Sequence, residues 1–175
     1  MSSLQKFHRR TQSVTGASGK LIGSDAPVAG AGFYLGKSGD GTSNMYVAPE
    51  STEVSLTWGS SGTTRNTIST TNGLANTNTL YAFGQTSHPA AYYCKTLATG
   101  GYNSWYMPAK NEMITIYSNQ ASTPFALFDS ARWYIGSTEG SATLVWIQRF
   151  DGSYMGFGGL KSGPAYVRAV RRSTV

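Results

Sequence analysis

The sequence carries a single cysteine, Cys94, in 175 residues, which excludes an intramolecular disulfide framework and a multi-thiolate zinc site. Long apolar runs are missing too. Nothing approaches the roughly 20 residues that span a bilayer, and Met1 to Arg10 lacks the apolar stretch of a secretory signal. Neither membrane insertion nor signal-directed export is expected. Titratable chemistry is scarce: two histidines and eight carboxylates, spread along the chain, offer little from which to assemble an acid–base site.

The familiar ligand motifs fail on inspection. Gly16 to Leu21 has only two residues between its glycines, and Leu21 stands where a phosphate loop needs Ser or Thr. Gly30 and Gly32 precede a strand instead of following one, the wrong order for dinucleotide binding. Asp40 and Asn44 are the nearest approach to a calcium loop, and ordinary turn chemistry accounts for them. His88, just before Pro89, reads as a surface or capping residue, and Cys94 reads as core filler. No cofactor, no metal and no enzymatic activity are expected.

The net charge of +6 is concentrated near the two ends, in Lys6, Arg9, Arg10 and Lys20 and in Arg168, Arg171 and Arg172. The central basic residues are scattered and no nucleic-acid-binding signature is present, so no nucleic-acid partner is expected.

What the chain has in quantity is glycine (21 residues), with frequent Ser, Thr and Asn, and aromatics at 13%, a mix that suits short strands and many turns. Residues 1–26 hold too few large apolar side chains to bury a core and read as an extended arm; residues 27–175 read as one domain. Strands are expected at Ala31 to Gly36, Met45 to Ala48, Arg132 to Ile135, Thr143 to Phe150, Ser153 to Phe157 and Tyr166 to Val170. Asp151-Gly152 marks a hairpin turn. Two helices are expected: one capped by Ser87 with Pro89 in its first turn and stopped by Gly100 and Gly101, the other over Lys110 to Asn119. The polar stretch 51–87 reads as a long ordered loop.

Several segments lie in a recognisable succession: HPAAYYCKTL from His88, GGYNSWYMPAKNEM from Gly100, YIGSTE from Tyr134, WIQRFDG from Trp146 and YVRAVRR from Tyr166. Together they resemble the DUF1566 family, which is similar to the C-type-lectin-like fold shared with formylglycine-generating enzymes and occurs in phage tail-fibre and other virion proteins. The resemblance implies an α+β domain with two helices on short twisted antiparallel sheets and a C-terminal strand near the N-terminal one. It also implies a polar corner at Ser137, Thr138 and Glu139, with Trp105 and Pro108 bridging the helices. Ala109 departs from the Ser common before the second helix, a lost cap worth about 1 kcal/mol. The paired cysteines of the enzyme branch and the calcium-lectin motifs are missing, so fold alone does not carry those activities across.

The function so implied is that of a bacteriophage virion protein, a tail-fibre, tail-tip or capsid appendage that presents a lectin-like domain to a host-surface glycan or protein receptor. The alternative is a purely structural virion subunit, such as a head-decoration, baseplate or fibre-joining protein. The expected contact residues are Trp133, Tyr134, Tyr154, Phe157, Leu160 and Lys161. Lys6, Phe7, Arg9 and Arg10 are expected to attach the arm to other virion proteins. A homo-oligomer is expected, a trimer if the chain is a fibre or tip protein.

Overall fold

A computed structural model describes residues 30–120 and 128–173. The arm, with Lys6, Phe7, Arg9 and Arg10, lies outside the described residues. Among the described residues eight strands are formed: β1 (Phe33–Lys37), β2 (Asn44–Val47), β3 (Val54–Thr57), β4 (Trp133–Glu139), β5 (Leu144–Arg149), β6 (Met155–Leu160), β7 (Pro164–Val167) and β8 (Val170–Ser173). Three helices of the described residues stand between β3 and β4: α1 (Gly73–Tyr81), α2 (Pro89–Thr96) and α3 (Lys110–Gln120). The fold class is α+β.

The strands form two sheets, one of order β1-β2-β8 and one of order β3-β7-β4-β5-β6. In the second, the central strands β4 and β5 bury side chains on both faces, because successive residues of a strand point to opposite sides. Ile135 and Val145 point into one core with Trp58, Leu80, Ala91, Cys94 and Val167. Tyr134 and Trp146, one residue along in each strand, point into the other with Met113, Ile116, Phe128 and Phe150.

The expected strand from Tyr166 to Val170 is in fact two. β7 pairs antiparallel with β3 and parallel with β4, whereas β8 joins β2 in the other sheet. The break falls where Tyr106 and Val170 exchange backbone hydrogen bonds (2.8 and 2.9 Å), and where the buried Arg168 donates Nε–H to the Ala48 carbonyl. The chain thereby ties its end to the N-terminal hairpin.

The stretch expected as a long loop contains β3 and α1. The α1 sequence GLANTNTLY is rich in poor helix formers, so propensity argued against it. Hydrogen bonds from elsewhere in the fold offset that cost. The Asn72 side chain caps the helix by accepting from Ala75 N–H, buried Asn76 donates to the Ser69 carbonyl and to Ser137, and Thr77 Oγ1 accepts from Met107 N–H.

Helix α3 replaces its missing cap in a similar way. Glu112 reaches back to the N–H groups of Ala109 (2.8 Å) and Gly73 (3.2 Å), Thr138 Oγ1 accepts from Lys110 N–H, and the Thr70 carbonyl accepts from Asn111 N–H. The missing cap is thus supplied by Glu112 of the helix itself and by two other segments, at Thr70 and Thr138.

Candidate functional site

β6 and β7 follow one another in the chain but are separated in the sheet by β5 and β4. An open groove of about 430 Å³ lies where they part, lined by Trp133 of β4, Ile147 of β5, Gly158 to Leu160 of β6 and Gly163 to Ala165 leading into β7, with Tyr154 on one side. Its apolar character continues that of the first core, since Ile147 packs against that cluster and Ala165 belongs to it. Among the described residues, no carboxylate, ammonium, guanidinium or imidazole lines it.

Trp133, Tyr154 and Leu160 are each more than a third exposed. The Trp133 and Tyr154 rings meet edge to face with centroids 5.4 Å apart, and the Arg149 guanidinium sits 5.5 Å from the Trp133 ring. Tyr154 is held along the glycines of β6: a methyl group at Gly158 would lie 2.3 Å from its hydroxyl oxygen. The glycines therefore let a large ring lie flat on the strand and keep it at the groove.

Three of the six residues expected at a contact surface thus converge here, and three do not. Tyr134 is buried, because alternation along β4 turns it to the opposite face from Trp133. Its hydroxyl donates to the Glu53 carboxylate and accepts from Asp129 N–H (3.1 Å), while its ring packs on Phe128 and Phe150. Burial, then the Glu53 charge, pushes its phenol far above the ordinary range.

Lys161 is also buried, pointing inward where Leu160 points outward. Its ammonium pairs with Glu139, donates to the Thr63 carbonyl (2.8 Å) and lies 4.7 Å from the Trp58 ring. Phe157 is exposed, but on the other face of the sheet, against the edge of Trp146 and above Gly140. Ile147 and Ala165 were not singled out in the sequence; both sit on regular strands, where an open sheet face leaves no local signal.

His88 and Cys94 are committed to the interior. His88 is buried and not on the surface: its Nδ1–H donates to the Trp58 carbonyl (3.0 Å) and Nε2 accepts from Arg65 Nε–H (3.1 Å). The imidazole lies below its usual value, chiefly through burial, with the Arg65 and Lys161 cations adding to it. Ser87 does not take the expected cap position of α2; His88 does, with no side-chain cap bond, because its ring is turned inward. Burial drives the Cys94 thiol far above its ordinary value, leaving it unreactive. Among the described residues, no group of three or more His, Cys, Asp or Glu side chains is placed to hold a metal ion.

The C-terminal cations are likewise held inside. Arg171 lies 3.7 Å from the Tyr102 ring and 4.1 Å from Tyr46, and donates to the Ala31 carbonyl. Arg172 bridges Glu112 and Asp40. For Asp40, burial works to raise the carboxyl, but hydrogen bonds from Ser38, Thr42 and Arg172 outweigh it and hold the group well below the usual range. These arginines fasten the end of the chain to the fold.

The sequence from residue 50 to residue 171 matches the family model of the Lcl C-terminal domain. The chain belongs to this family. The Lcl C-terminal domain family is related to DUF1566, so the resemblance carried by the motifs holds at the family level. No curated protein matches the sequence. A fimbrial protein from Bacteroides ovatus is similar in structure, with a TM-score of 0.53 at 14% identity, over 73% of this chain and 35% of that one. The chain spans about a third of that protein's length, and at this identity the likeness is one of fold alone.

Proposed function

We propose that the chain is a non-enzymatic bacteriophage virion protein whose Lcl-type domain, on a C-type-lectin-like scaffold, contacts a host-surface glycan or protein receptor through the Trp133–Tyr154–Leu160 groove. The observation that carries this reading is the convergence of those three exposed side chains on one groove that no ionised side chain of the described residues lines. Such a surface supplies contact area and ring faces for stacking, and it offers no nucleophile or acid–base pair for bond-making. In this reading residues 1–26, with Lys6, Phe7, Arg9 and Arg10, attach the domain to other virion proteins, and a homo-oligomer, a trimer at a fibre tip, multiplies weak single-site affinities.

The test is retention of the purified chain on bacterial cells and on an array of bacterial surface polysaccharides, with competition against phage adsorption. The wild-type chain binds, and the W133A/Y154A variant loses binding while keeping its circular dichroism spectrum. Absence of all binding, or equal binding by the variant, overturns the proposal.

One observation favours a purely structural virion subunit: β6 is an edge strand, paired among the described residues only with β5. A neighbouring subunit could extend the sheet there. A density map of the particle separates the two readings, because a structural subunit has the groove covered by its neighbour.

A further inference from the structure

The segment from Gly59 to Thr67 is fastened across the β6–β7 turn by buried charges. Gly59 N–H donates to the Lys161 carbonyl (3.0 Å), and the Thr63 carbonyl accepts from the Lys161 ammonium. The N–H groups of Arg65 and Asn66 both donate to the Glu139 carboxylate at 2.9 Å, with Asn66 in the left-handed region at φ 57°. The Arg65 side chain closes the assembly: its Nε–H donates to His88 Nε2, and its guanidinium lies 4.2 Å from the Phe83 ring.

His88 stands at the centre of this latch with both nitrogens engaged. The Trp58 carbonyl requires a proton on Nδ1, and Arg65 requires the lone pair on Nε2, so the neutral tautomer is the one that fits. The charged groups facing the ring are Arg65 from the loop, Lys161 from the β6–β7 turn and Glu139 from the end of β4. The Trp58 and Phe83 rings that pack on it carry no charge. A proton added at Nε2 points at the Arg65 N–H and sets three cations against one carboxylate. The ring has no space in which to turn away, because Gly59 passes so close that a methyl group there would lie 2.3 Å from Nδ1.

The latch and the groove share a wall. Leu160 and Gly163, which line the groove, flank Lys161, whose backbone is pinned by Gly59 on one side and by Thr143 on the other. We propose that protonation of His88 opens this latch and loosens the Leu160–Gly163 wall, so that the groove releases its ligand in acid. This rests on the groove being the contact site.

The test follows the ¹⁵N-labelled full chain by NMR from about pH 7.5 down through the whole His88 titration, reading the His88 ring and the amides of Gly59, Leu160, Lys161 and Gly163. These amides move with the His88 titration, whose midpoint lies below 6.5, and Gly59 exchanges about tenfold faster than in H88Q at the same acid pH. The R65M variant, with one cation fewer and the Nε2 lone pair free, shifts the whole transition to higher pH. The proposal is overturned if His88 titrates while those amides stay still, or if H88Q shows the same transition. Retention on the polysaccharide array at both pH values separates the two layers of the argument. Spots held at about pH 7.5 and lost at a pH below the His88 midpoint read by NMR support the proposal. Equal retention at both overturns the regulation and leaves the contact role standing, whereas no retention at either overturns the contact role itself.

Discussion

Replacing Glu139 by alanine tests whether the buried charges hold the fold together. The carboxylate accepts from the N–H groups of Arg65 and Asn66 and pairs with an ammonium that is fully buried. Removing it orphans both N–H groups and leaves the ammonium with only the Thr63 carbonyl, an uncompensated cation in the interior. Breaking a buried pair in this way costs about 3–5 kcal/mol, a large share of the roughly 5–15 kcal/mol that keeps a domain folded. The E139A/K161M double variant leaves no orphaned ammonium and should recover about 2 kcal/mol of that loss. Urea unfolding followed by tryptophan fluorescence measures both, with Trp58 reporting directly because Lys161 lies over its ring. A loss under about 1 kcal/mol in E139A, or a double variant less stable than the single, would refute the reasoning.

Other consequences follow from the same geometry. The His88 imidazole is held below 6.5, so between that value and its folded-state value the unfolded chain binds more protons; stability is full above 6.5 and falls by about 1.4 kcal/mol per pH unit on acidification until the folded-state value is reached. Calorimetry of wild type and H88Q checks this, and an unchanged slope in H88Q would sink it. G158V places side-chain atoms where the Tyr154 hydroxyl lies and should displace that ring, lowering array binding at least as much as Y154A does while the melting temperature changes little. T138V removes the acceptor for Lys110 N–H and the donor to the Ser69 carbonyl, and should cost about 1–3 kcal/mol by urea unfolding.

The elements with strong local signals were legible: the strands at the domain entrance, α3 with its apolar stripe, and the β5–β6 hairpin with Asp151-Gly152 in its turn; the polar corner at Ser137 to Glu139 came only through the family resemblance. The α1 helix was hidden because its stability resides in Asn76 and Thr77 reaching partners about 60 and 30 residues away, respectively. At the groove, Trp133, Tyr154 and Leu160 were recognisable as aromatic and apolar residues beside a glycine-rich strand. That Tyr134 and Lys161 face inward was not, since alternation says that neighbours part and not which of them turns to the solvent.

The sequence by itself determined an α+β domain without cross-links, its family, and the poverty of its titratable chemistry, because composition and local motifs act over a few residues. Only the tertiary structure decided which charges are buried, how the chain's last strand divides between two sheets, and which three side chains share a groove. Those outcomes depend on contacts between distant segments, where the cost of burying a charge or a polar group is met by a partner that no local pattern reveals.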